Sequence, residues 1–463
     1  MLAWRPATRR GAARLPPDLA AFRISGASGH DPRVAPRVLG FAFTEVVQDA
    51  AMTSRDAALH RRLGLADSVL IGLGAMLGAG IFAALAPAAA AAGSWLLLAL
   101  AIAALLAYCN ATSSARLAAR YPVSGGTYVY GRERLGPFWG YLAGWGFVAG
   151  KTASCAAMAL TVGHYAWPEH ARPVAVATVL AITAINYTGV QKSALATRIV
   201  VAIVLAVLAM VAVVGLTGAH TAATALPDRI GPRGVLEAAG LLFFAFAGYA
   251  RVATLGEEVR EPRRTIPRAI MIALAVALAV YAVVAAAALA VLGSSGLAGA
   301  IDPLARVVSE AGAPALAPVV RIGAVVAAAG SLLALILGVS RTTLAMARDR
   351  YLPHALAAVH PRFGAPHRAE LVVGAVVAVV AASFDLRAAI GFSSFTVLVY
   401  YLVANVSAGT LTAAEDRPAR WIPVLGALGC VVVAAALPTA SVLVGLAILA
   451  LGAALYAVRR RAR

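Results

Sequence analysis

Ile71-Gly72-Leu73-Gly74-Ala75-Met76-Leu77-Gly78-Ala79-Gly80-Ile81-Phe82 is an apolar stretch broken by glycine, and it carries no charge. It lies inside a segment long enough to cross a bilayer. A second break of the same kind is Phe243-Phe244-Ala245-Phe246-Ala247-Gly248-Tyr249-Ala250. An interrupted helix in hydrocarbon leaves N–H and C=O groups without partners, each at a cost of several kcal/mol. Such groups are tolerated where they bind something. Two breaks, one in each half of a chain, therefore point to a ligand site near the bilayer midplane.

The chain around these breaks has 463 residues, 61% hydrophobic and 13% charged, with mean hydropathy +0.84. A soluble protein carries roughly 25% charged residues. The composition predicts an all-α polytopic membrane protein, since the apolar runs are helix-length and not the short alternating segments of a barrel. The formal charge of +19 sits in loops and at the two ends, so it does not indicate nucleic-acid binding. Almost all of it is arginine; Lys151 and Lys192 are the only lysines. Cys109, Cys155 and Cys430 fall in or beside apolar spans and read as small packing residues. Residues 1–51 are rich in Arg, Pro and Gly and lack both a helix period and the apolar core of a secretory signal. They read either as a disordered cytoplasmic tail or as an extension upstream of a true start at Met52, leaving 52–463 as one membrane domain.

Apolar runs of about 20 residues give twelve candidate spans, roughly 67–91, 94–116, 137–166, 173–189, 196–218, 234–258, 266–292, 316–346, 369–384, 387–409, 421–437 and 440–458. Arginine asymmetry sets the orientation. Arg116, Arg120, Arg132, Arg134, Arg260, Arg263, Arg264, Arg268, Arg348, Arg350 and Arg459 to Arg461 fall on one side, with few on the other. Both ends are expected in the cytoplasm of a multi-pass protein of the cytoplasmic (inner) membrane. The broken spans are the first and the sixth. A five-plus-five inverted repeat makes these equivalent, with repeat one at about 64–218, repeat two at about 234–409 and two extra helices at about 421–458.

Three motifs, in order, carry a resemblance. They are the glycine-rich first span; the second break followed by Gly256-Glu257-Glu258-Val259-Arg260-Glu261-Pro262 and Thr265-Ile266-Pro267; and Met346-Ala347-Arg348-Asp349-Arg350-Tyr351-Leu352-Pro353 with Pro361-Arg362-Phe363-Gly364-Ala365-Pro366 after it. From about Leu63 onward the chain resembles the amino acid–polyamine–organocation superfamily, in its amino acid permease and cationic amino acid transporter branches. The resemblance implies a leucine-transporter-like fold and secondary active transport of amino acids. It places the substrate carboxylate on the N–H groups near Gly78, Ala79 and Gly80. It places the substrate ammonium on carbonyls near Ile71, Gly72, Phe246, Ala247 and Tyr249, with Gly248 opening the second break. Helix termini suit both poles of a zwitterion, N–H groups the anion and carbonyls the cation. A side chain at Gly78 or Gly80 is expected to fill the carboxylate site; close helix packing is the plainer use of such glycines. The helices are expected to be unwound near Gly78–Ile81 and Phe246–Tyr249.

Lys151 stands near the middle of the third span, where a lysine costs about 2.5–3.5 kcal/mol on insertion scales. It reads as a carrier of a coupled proton or as a lysine capped by carbonyls and hydroxyls, with its amine inside the bundle. Some proton-coupled relatives carry a lysine on the fifth span; here Val204 takes that place. Arg251 follows the second break and is expected to pair along its helix with Glu257 and Glu258, as a gate or helix-end salt bridge, or to face a substrate carboxylate. The histidines His164, His170, His220, His354, His360 and His367 lie at span ends or in loops, in no metal-binding spacing. No cofactor or metal is expected. The partners are an amino acid, protons and membrane lipid. An intramembrane enzyme would need paired catalytic groups inside the spans, and none stands out. An exchanger without proton coupling and a transporter-like sensor are the remaining alternatives.

Overall fold

Alanine, leucine and valine runs without interior charge build helices, and helices account for nearly all regular structure in the computed structural model, which describes residues 63–122, 125–188, 194–218, 231–253 and 258–461. The chain divides into two units, Met1–Leu59 and His60–Arg463, and every described residue belongs to the second. The expectations for residues 1–51 and for Glu257 lie outside the described residues.

In chain order the helices are α1 (Leu65–Met76), α2 (Ala79–Ala92), α3 (Leu96–Arg120), α4 (Thr127–Leu135), α5 (Pro137–Ala166), α6 (Ala171–Tyr187), α7 (Ala194–Thr217), α8 (Pro232–Phe246), α9 (Ala250–Ala253), α10 (Pro262–Ala298), α11 (Pro303–Glu310), α12 (Ala317–Arg348), α13 (His367–Ser383), α14 (Leu386–Gly409), α15 (Trp421–Ala436) and α16 (Thr439–Arg461). One isolated parallel bridge, Leu63 to Val259, ties the start of α1 to the segment after the second break.

Among the described residues, seven helical segments are long and apolar enough to cross a membrane: Leu65–Arg120, Leu195–Thr217, Pro232–Ala253, Pro262–Ala298, Pro314–Arg348, Leu386–Gly409 and Thr439–Arg461. The first of these runs through α1, α2 and α3, with a turn at Gly93–Trp95. Of the twelve expected spans, the fourth and ninth correspond to α6 and α13, which have 17 residues each, short of the roughly 20 that a span needs. The third corresponds to α5, 30 residues long, whose middle is diluted by Lys151, Thr152 and Ser154.

Two apolar clusters organise the packing. The larger gathers α1, α2, α3, α8, α10 and α14, with Phe82, Phe243, Phe246, Tyr281 and Tyr401 at its centre. The smaller joins the later half of α5 to α6, α12 and α13 through Leu160, Val179, Ile182, Ile336, Val339 and Val377. Cys109, Cys155 and Cys430 are free and buried.

Small residues let backbones touch where the clusters are tightest. A Cβ on Gly80 would sit 2.5 Å from the Cα of Ala245, and one on Gly248 would sit 2.3 Å from the carbonyl oxygen of Ala75. Neither position can take a side chain without moving a neighbouring helix. Gly80→Val is therefore expected to lower stability by about 1–3 kcal/mol through overpacking, besides any effect on binding. Gly338, with open space around its Cα, is the control: Gly338→Ala should be neutral or stabilising by about 0.4–1 kcal/mol. Thermal unfolding of the detergent-purified variants checks both.

Candidate functional site

The first break is short. Leu77 N–H still donates to Leu73 O at 2.7 Å. Gly78, with ψ −134°, leaves the helical region, and α2 starts at Ala79. The interruption is therefore Leu77–Gly78, and not the expected Gly78–Ile81, because Ala79, Gly80 and Ile81 already form the first turn of α2. In the second break the chain tightens instead of unwinding. Ala247–Tyr249 is a 3₁₀ turn between α8 and α9. No side chain caps α2, so the first N–H groups of that helix have no intrahelical partner and face the break.

The carbonyls at the breaks are held by side chains from four other helices. Ser331 of α12 donates its hydroxyl to Gly74 O at 3.1 Å. Tyr281 of α10 reaches both breaks: its hydroxyl is 2.5 Å from Met76 O and 3.1 Å from Ala245 O. Lys151 of α5 donates its ammonium to Ala247 O at 3.4 Å, and Tyr401 of α14 donates to the same oxygen at 3.5 Å. Aromatic rings close the space around them. Phe246 meets Tyr281 edge to face at 5.1 Å, Tyr249 lies 5.2 Å from Tyr401, and Phe243 lies 5.7 Å from Tyr401. A cavity of about 290 Å³ lies beyond Phe82 and Tyr165, between α2, α5, α14 and the Ala298–Pro303 segment, with Thr161, His164 and Arg387 in its wall.

The expected site residues fall around this centre. Gly78, Ala79, Gly80, Phe246, Ala247 and Tyr249 are buried, and Gly248 is half-buried against α1. Gly78 faces Ser331. Ile71 and Gly72 lie further back on α1, and Gly72 faces Val252 and Ala273. Lys151, only 7% exposed, points into the bundle at the second break, as its insertion cost requires. Val204 is buried on α7. Arg251 lies on α9 and Glu258 in a turn beyond it, so a shared helix face is not what relates the two. Glu258 lies in a turn, and its carbonyl accepts from Leu63 N–H at 3.1 Å. Arg251 is within electrostatic reach of Arg341 and Glu258. Sequence reasoning missed Tyr281, Ser331 and Tyr401. The available signal was a lone tyrosine in the middle of an apolar helix and the Tyr400-Tyr401 pair inside α14.

The Ala-Arg-Asp run has a structural task. Asp349 accepts hydrogen bonds from Tyr128 and from Arg132 (3.5 Å), both on α4. Arg134 of α4 pairs with Glu415, which Arg120 also reaches at 3.1 Å, and Arg116 pairs with Asp416. The Arg134 side chain, the Thr412 N–H and Arg120 hold the Glu415 carboxyl down to about 2.

Two tests follow from this geometry. Tyr281→Phe removes the one O–H that lies between Met76 O and Ala245 O and should cost about 1–3 kcal/mol; an unchanged melting temperature would show that other donors serve them. For Glu415 the native state favours the ionised form. Its contribution is present above the ordinary glutamate range and is lost only as pH falls through about 2. Proteolysis of the 410–418 segment should therefore not change on mild acidification, whereas Glu415→Gln should increase it at neutral pH.

A profile described as amino acid permease matches residues 63–457, which takes in every element described above except the last residues of α16. An uncharacterized transporter of Mycobacterium tuberculosis is 68% identical over 408 residues, covering 87% of this chain and 92% of that protein. A branched-chain amino acid permease of Bacillus subtilis is 30% identical over 357 residues, 71% of this chain and 76% of that one. A cationic amino acid transporter of Arabidopsis thaliana is 28% identical over 379 residues, 75% and 65% of the two chains. With its paired helix breaks and this match over most of its length, the chain belongs to the amino acid permease family of the amino acid–polyamine–organocation superfamily.

Proposed function

We propose that the protein moves amino acids across the cytoplasmic membrane by alternating access, coupled to protons. The observation that carries this reading is the pair of breaks lying against each other, Gly248 on Ala75 and Gly80 on Ala245, with an uncapped helix start on one side and carbonyls on the other. On this reading the twelve spans form a five-plus-five inverted repeat with two added helices, 52–463 is one transporter domain, and both ends lie in the cytoplasm. The substrate carboxylate takes the N–H groups of Gly78, Ala79 and Gly80, and its ammonium takes carbonyls of the second break. Phe243, Phe246, Tyr249 and Tyr401 give the surroundings an apolar, aromatic character, which fits neutral side chains. The name of the Bacillus subtilis relative points the same way.

Lys151 supplies the coupling. Its ammonium holds Ala247 O, one of the carbonyls that a substrate ammonium would use. Two cations cannot share that oxygen cheaply in a low dielectric. Substrate binding and loss of the Lys151 proton are then linked, and the proton travels with the exchange of partners at Ala247. Uptake of a panel of amino acids into proteoliposomes, with and without a pH gradient, tests the reading. Wild type should accumulate neutral amino acids under an inward proton gradient. Lys151→Met should retain exchange of labelled for unlabelled substrate and lose accumulation. A mutant that accumulates normally removes Lys151 from coupling, and a wild type indifferent to the gradient leaves exchange as the activity.

A further inference from the structure

Glu370 lies in the first turn of α13 and is fully buried, 0% exposed. Neither of its carboxyl oxygens has a hydrogen-bond partner among the described residues. Its backbone is regular, with its N–H on Pro366 O at 2.9 Å. Val373, Gly374, Val377 and Ala381 continue the same buried stripe, which packs along α6. Thr183 of α6 sits against Gly374, where a Cβ would come 2.4 Å from its Oγ1, and that hydroxyl is also buried without a partner. One apolar seam thus holds an unpartnered carboxyl and, a turn further on, an unpartnered hydroxyl. Packing alone does not call for a carboxyl here, because the rest of the stripe is valine, glycine and alanine.

A carboxylate deprived of both water and donors is among the most costly groups to bury, and a neutral carboxyl is far less so. The elements against α13 bring few groups that could compensate. They include Arg341 and Arg348 on α12, Lys151 on α5, Tyr187 on α6, His354 and His360 on the segment before α13, and His367, whose Nδ1 is buried without a partner, and Arg368 on α13 itself. Arg341 is the one whose charge reaches Glu370, and Arg341 is itself exposed.

We propose that Glu370 is a proton-binding site of the transport cycle, distinct from Lys151 and placed at the α12–α13 end of the smaller apolar cluster. The carboxyl carries one proton while Arg341 stays in water. A shift of α12 that brings the guanidinium onto the carboxyl stabilises the ionised form. The O–H bond then breaks, and the proton passes to the water around Arg341. Withdrawal of Arg341 lets the carboxylate take a proton back from water. The role of this site in transport rests on the proton-coupled reading above; its ability to hold a proton does not.

Two measurements separate these. Dicyclohexylcarbodiimide reacts with protonated carboxyls in apolar surroundings. In wild-type proteoliposomes it should modify Glu370, located by peptide mass spectrometry, with labelling falling as pH is raised. In transport, Glu370→Gln should keep exchange of labelled for unlabelled amino acid and lose accumulation under a proton gradient, while Glu370→Asp should keep both. Absence of label on wild-type Glu370, or accumulation by Glu370→Gln equal to wild type, overturns the proposal. If Glu370→Gln does not fold, wild-type labelling together with accumulation by Glu370→Asp decides it: label and accumulation support it, absence of either overturns it. If the wild type moves no amino acid, the transport reading has failed, and labelling alone still decides whether Glu370 holds a proton.

Discussion

A backbone carbonyl freed inside hydrocarbon must find a donor, and the centre of this protein is arranged around four that do. Gly74, Met76, Ala245 and Ala247 lie at the two helix breaks, and Ser331, Tyr281, Lys151 and Tyr401 reach them from α12, α10, α5 and α14. One phenol serves both breaks. It joins the end of α1 to the end of α8 and fixes the two interruptions at the same depth. The N–H groups opening α2 have no such side chain. The break therefore has satisfied acceptors and an uncapped row of donors, and an uncapped helix start favours an anion.

Holding two interrupted helices this close excludes side chains from the contact. Gly80 lies on the backbone of α8 and Gly248 on the backbone of α1. In lipid, where apolar burial drives helix association weakly, such close approach supplies the dispersion contacts that replace it. The ion pairs lie at the margins, with Lys151 the exception at the centre. The pairs of Arg116 with Asp416 and of Arg120 with Glu415 are exposed or partly so and individually weak, whereas Arg134 and Glu415 are both mostly covered. Arg134 on Glu415, with Tyr128 and Arg132 on Asp349, fastens α4, while Arg116 and Arg120 tie the end of α3 to the same 412–416 turn.

Much of this was legible in the chain. Glycine inside charge-free apolar runs marked both breaks, and a single lysine in a span marked a polar centre, because hydrocarbon makes each of these costly unless it is used. The exact ends of the breaks were not legible: Ala79, Gly80 and Ile81 are as compatible with a first helical turn as with an open strand. Tyr281 and Tyr401 were hidden because tyrosine in a span also serves as an interfacial anchor, and the depth of a residue in the bundle is a tertiary fact. Glu370 was hidden for the same reason. A glutamate one turn into a helix reads as a residue at the water boundary, and only the packing of α13 along α6 shows that it is covered. A shared helix face for Arg251 and Glu258 assumed that α9 continues to Glu258, which instead lies in a turn whose backbone pairs with Leu63.

The polar contacts at the centre also differ in which apolar cluster they join. Tyr281 and both carbonyls that it serves belong to the larger cluster, so its bonds survive any motion that leaves that cluster intact. Ser331 belongs to α12, and Lys151 adjoins the part of α5 that packs with α6, α12 and α13. Their bonds to Gly74 and Ala247 cross from one cluster to the other. They are single hydrogen bonds of 3.1 Å and 3.4 Å, each worth about 0.5–1.5 kcal/mol net, or somewhat more for a charged donor. Both end on carbonyls of the helix breaks, and α5 and α12, which contribute apolar residues to both clusters, tie the two together as well. A zwitterion bound between the breaks would compete for one of the same oxygens.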